Sequence, residues 1–142
     1  MVPFWRLELP FRYTIYAAFT LLFVSGAAWL AADLQKDSFD AEFWQQVSAY
    51  SLMLHGGTAM LALMLLGALF PLHIGRAWRA KKNRLTGSTM VASNAFLVAT
   101  AFCLYYLGSE ELRPWASDIH IAFGMSLPLL LLVHVKAGRK RH

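Results

Sequence analysis

The stretch WASDIHIAFGMSLPLLLLVHV, residues 115–135, decides the fold. Apart from Asp118 near its start it is apolar, and a run of about 20 such residues crosses the ~30 Å hydrocarbon layer of a bilayer as one helix. It nevertheless holds two ionisable side chains, His120 and His134. An ionisable group inside a span is expensive and marks function by default. Their separation leaves the two rings roughly 40° apart around the helix and ~21 Å apart along it, on one face.

Three further apolar runs of spanning length lie upstream, at 13–32, 47–74 and 87–108. The 47–74 run also carries two histidines, His55 and His73. They stand about five whole helical turns and ~27 Å apart, again on one face. With hydrophobic residues at 58% and charged residues at 15%, the chain is too apolar for an ordinary soluble domain. Short connections between the runs predict an all-α, integral-membrane, up-and-down four-helix bundle, a single domain over residues 1–142. The first run follows Arg6 and Arg12 and ends in small residues, as a secretion signal does. Its apolar core is longer than the ~7–15 residues of a cleaved signal, so it is read as a retained helix.

The net charge of +5 is distributed by loop. Basic residues crowd the N-terminus, the central loop (Arg76, Arg79, Lys81, Lys82, Arg84) and the C-terminus from Lys136 onward. The other two loops hold Asp33, Asp37, Asp40, Glu42, Glu110, Glu111 and Asp118, against only Lys36 and Arg113. This alternation matches the positive-inside rule and places both termini in the cytoplasm, as in a bacterial inner membrane. The basic loop is then a topology signal that touches anionic lipid, and nucleic acid is excluded as a partner. Aromatics near the span ends, among them Phe39, Phe43, Trp44, Trp78 and Trp115, read as interfacial anchors.

Alternating spans run the second and fourth helices in the same direction. His55 then matches His120 in the outer half, and His73 matches His134 near the cytoplasmic side. Tilt, or bends at Pro71 and Pro128, must absorb the ~6 Å mismatch in rise. The residue four positions after each histidine is small: Ala59, Ala77, Gly124 and Gly138. Helical side chains lean toward the N-terminus, so these positions hang beside the imidazoles, where a large side chain would crowd a planar ligand.

Two imidazoles at each level are too few for zinc, which takes three or four protein ligands. A porphyrin supplies four nitrogens of its own, so two imidazoles complete an octahedral iron with no open position, a set suited to electron transfer. The single cysteine, Cys103, lies mid-span, and no C-x-x-C-H sequence is present. Covalent attachment is therefore excluded, and the expectation is two non-covalent haem b groups, one on His55 and His120, the other on His73 and His134.

The fourth run, from His120 to His134, resembles the paired-histidine helix of small membrane b-type cytochromes, the cytochrome b561-like group and the core of respiratory cytochrome b. The second run, with His55-Gly-Gly and Pro-Leu-His73, resembles its partner helix. The resemblance covers about three of the four runs. It implies a di-haem four-helix bundle that carries electrons across the bilayer between a quinone or a partner redox subunit and another redox partner, such as a soluble cytochrome. In this sequence the second run departs from the family's 14-residue step, and the first run has no histidine. Any enzyme activity would then belong to an assembly of which this chain is the membrane subunit. Two other readings of the same histidines stand beside it: a cofactor-free anchor whose imidazoles bond to Ser or Thr on neighbouring helices, and a proton or metal-ion transporter using them as a relay.

Overall fold

The computed structural model describes residues 8–140, with side chains through Gly138. Trp5, Arg6, Arg141 and His142 lie outside the described residues, as do the side chains of Arg139 and Lys140. The described chain is all helix and turn. It runs α1 (Leu9–Asp33), α2 (Ala41–Leu69), a π-helical turn (Phe70–Ile74), α3 (Gly75–Arg79), α4 (Arg84–Tyr106) and α5 (Leu112–Lys140). Four helices are long and apolar enough to cross a membrane: Leu9–Asp33, the continuous Ala41–Arg79, Arg84–Tyr106 and Leu112–Gly138. Two compact units divide between Arg76 and Ala77.

The first unit is the hairpin of α1 and α2. Its buried positions on α1 are Ile15, Ala18, Ser25 and Ala32, and on α2 Thr58 and Ala62. Ala18, Ser25 and Ala32 repeat every seven residues, as do His55 and Ala62. Small side chains at this period let two helix backbones close on each other, which is how apolar helices associate where lipid removes the hydrophobic drive. Large apolar side chains turn outward: Met53, Met60 and Met64 are each about two-thirds exposed or more. Exposed apolar surface of this extent suits a membrane or a protein partner.

At the far end of α2 the ladder widens into the π-turn FPLHI. Pro71 has no N–H to give, and a single π-turn is a common way for a helix to absorb such a break. Sequence spacing placed His73 on the face of His55 by counting regular turns. The wider turn rotates less per residue, so the faces drift apart after Leu69.

The second unit pairs α4 with α5. Its seam is also heptad-spaced: Thr86, Ser93 and Thr100 on α4, and His120, Leu127 and His134 on α5. Ser93 and Leu127 are buried. Phe96 and Phe123 stack at 5.3 Å between ring centroids. Two left-handed residues, Lys81 at φ 56° and Asn83 at φ 46°, form the turn into α4. Arg84 braces that turn, donating to the Trp78 carbonyl at 3.0 Å and lying 4.7 Å over its ring. Ser109 caps the start of α5 by accepting the Leu112 N–H at 3.3 Å. Pro128 sits inside α5 without ending it.

Candidate functional site

Three of the four candidate histidines meet the same surroundings, each within its own hairpin. His55 on α2 reaches α1, where its Nδ1 lies 3.0 Å from Ser25 Oγ and 2.9 Å from the Leu22 carbonyl. His120 on α5 places Nδ1 2.9 Å from Thr100 Oγ1 on α4. His134, two heptads on, places Nδ1 3.1 Å from Thr86 Oγ1. Thr86 and Thr100 are separated by the same number of residues as His120 and His134, so the two contacts are one antiparallel register read at two heights.

At His55 the contacts fix where the ring proton sits. A carbonyl oxygen only accepts, so the approach of His55 Nδ1 to Leu22 requires a proton on Nδ1. Ser25 has one hydroxyl proton and gives it to its own helix, at 2.7 Å from the Leu21 carbonyl. Toward His55 it can only accept. Thr100 likewise donates to the Phe96 carbonyl at 2.8 Å, and Thr86 to the Asn83 carbonyl at 3.4 Å. With its proton engaged in that short bond, Thr100 is placed to accept from His120 Nδ1, while the longer Thr86 bond sets no direction at His134. A metal-bound histidine carries the same arrangement: the ring nitrogen away from the metal donates to an oxygen, which sets tautomer and ring orientation.

Each hydroxyl is followed by a small residue: Ser25-Gly26, Thr86-Gly87 and Thr100-Ala101. A Cβ on Gly26 would stand 3.2 Å from His55 Cε1, and one on Gly87 would stand 3.9 Å from His134 Cε1. The imidazole thus lies against the backbone of the facing helix, most tightly at Gly26.

The remaining predicted residues are placed as follows. His73 is half-buried on the π-turn. Ala59 and Ala77 are half-buried, in α2 and α3. Gly124 faces Leu97, whose Cδ2 would be 3.9 Å from an added Cβ, and Gly138 faces Asn83, whose Nδ2 would be 3.2 Å away. Both glycines therefore face α4 or the turn before it, within their own hairpin. Arg113 and Lys136 are exposed and Arg76 is half-buried. Tyr50, Trp115 and Asp118 are exposed, and Ser51 is half-buried. Cys103 is a half-buried thiol.

Among the described residues no three His, Cys, Asp or Glu side chains gather in a way that could hold a metal ion. An imidazole whose Nδ1 faces an oxygen is the donor type that an axial position of haem iron would take.

Spacing alone had pointed to the histidines but not to Ser25, Thr86 or Thr100. The signal was present: two threonines one helix upstream repeat the step of the two histidines. Comparison with protein-family models, with curated proteins and with solved structures finds no match for the chain.

Proposed function

We propose that this protein is a multi-pass membrane b-type cytochrome, an electron-transfer subunit that holds two haem b groups through His55, His73, His120 and His134. The observation that carries the reading is the shared orientation of three of these rings. Nδ1 of each lies within hydrogen-bond distance of an oxygen of the neighbouring helix, the side of the ring that an outer partner takes when Nε2 holds a metal. Bound haem supplies a one-electron iron couple whose axial positions are both filled, which favours electron transfer over gas chemistry. The chain's part is to present neutral imidazoles at two depths and to keep them from rotating. The pairing carried over from sequence depth is His55 with His120 and His73 with His134.

An electron crossing the bilayer works with or against the membrane potential at ~2.3 kcal/mol per charge per 100 mV. The two haem sites must differ in potential enough to favour the direction used. A quinone or a partner redox subunit at one face, and a second redox partner at the other, complete the reading.

The test is a visible spectrum of the full chain, purified from cells supplied with haem and then reduced with dithionite. The expected result is a Soret peak, sharpened reduced bands and about two haems per chain. His55→Ala and His120→Ala are expected to remove the same haem, and loss of different haems would refute the pairing. The same hydrogen bonds also suit a cofactor-free anchor in which imidazoles tie each hairpin together. A colourless full chain that moves neither protons nor metal ions in vesicles would favour that second reading.

A further inference from the structure

We propose that Ser25, Thr86 and Thr100 are positioning residues that hold His55, His134 and His120 in the Nδ1–H tautomer, with Gly26 and Gly87 serving as the floor beside the His55 and His134 rings. The proposal deepens the haem reading and rests on it for its ligand, but its tautomer half stands without any ligand. Neutral imidazole in water prefers the proton on Nε2, which would bury the lone pair a metal needs. Each hairpin reverses that preference by aiming at Nδ1 a hydroxyl oxygen, joined at His55 by the Leu22 carbonyl, which can only accept. The hydroxyl proton is already spent on a carbonyl of its own helix, at 2.7 Å for Ser25 and 2.8 Å for Thr100. Histidine and hydroxyl therefore form a one-way chain: Nδ1–H to hydroxyl oxygen, hydroxyl proton to backbone carbonyl. The same device recurs at three places in two hairpins, opposite three of the four intramembrane histidines.

The experiment uses the full chain with ¹⁵N-labelled histidine, in detergent or nanodiscs, with added haem b as the probe. Before haem is added, the ring nitrogen shifts of three histidines are expected to report Nδ1–H. Thr100→Val keeps the shape and removes the acceptor. It is expected to move the His120 signals alone and to weaken haem retention by about 10–100-fold, the usual cost of losing such an outer partner. Thr100→Ser restores the acceptor and is expected to restore both. Ser25→Ala is milder, because the Leu22 carbonyl still accepts from His55. A wild-type chain whose His120 ring carries its proton on Nε2 would overturn the proposal, and this readout needs no variant to fold. Unchanged ring signals and unchanged haem binding in Thr100→Val would also overturn it. A chain that binds no haem, while its ring signals shift as described, would overturn the haem reading and leave the tautomer assignment supported.

Discussion

At the residue scale, Gly26 leaves little room for a side chain beside His55. A methyl group at Gly26 would fall 3.2 Å from the ring, and the ring is held in place by two acceptors. Gly26→Ala is therefore expected to push the imidazole away from Leu22 and Ser25. The measurement is loss of the His55 Nδ1–H signal together with loss of one haem per chain. Gly87→Ala, where the same distance is 3.9 Å, is ordinary contact and should change neither. The histidines were legible from the sequence because a charged-capable side chain stands out in an apolar run. Their hydroxyl partners were not, because Ser and Thr in a membrane helix usually bond to their own backbone. Only the matching step along the facing helix separates Thr86 and Thr100 from such background. The small residues four positions after each histidine were legible as well, but Gly124 and Gly138 face their own hairpin, so their smallness already has a packing reason.

At the element scale, the seams are built from side chains too small to tolerate growth. Ala62 is 4% exposed and Ala18 is 3% exposed, and overpacking of such positions costs about 1–3 kcal/mol. Ala62→Leu is expected to lower the unfolding midpoint of the purified chain in mild detergent, whereas Met60→Leu on the outward face should leave it unchanged. The π-turn makes a second prediction. Pro71→Ala restores an N–H and lets the helix close into a regular ladder, which turns everything beyond it. The haem assigned to His73 should then be lost while the one assigned to His55 remains, read as a fall from two haems to one per chain. Hydropathy located all four long helices, since length and apolarity set a span directly. Proline at position 71 signalled a bend but not its form, because a kink, a bulge and a wide turn all relieve the same missing donor.

At the scale of the whole molecule, the distribution of charge predicts orientation. A reporter fused after Lys82 is expected on the cytoplasmic side and one fused after Asp37 on the opposite side. Moving the basic cluster from the central loop to the loop at 34–40 should invert the pattern. Four long apolar helices and the short turns between them agree with the order of elements expected from the sequence. What that order did not disclose is that three histidine contacts are made inside hairpins, between neighbours in the chain. This has a bearing on biogenesis. Synthesis makes α1 and α2 ahead of α4 and α5, and His55 meets Ser25 within that first pair. In a chain that inserts as it is made, each ring would find its hydroxyl partner already synthesised, and the second pair, with both its threonines made ahead of its histidines, repeats the same order.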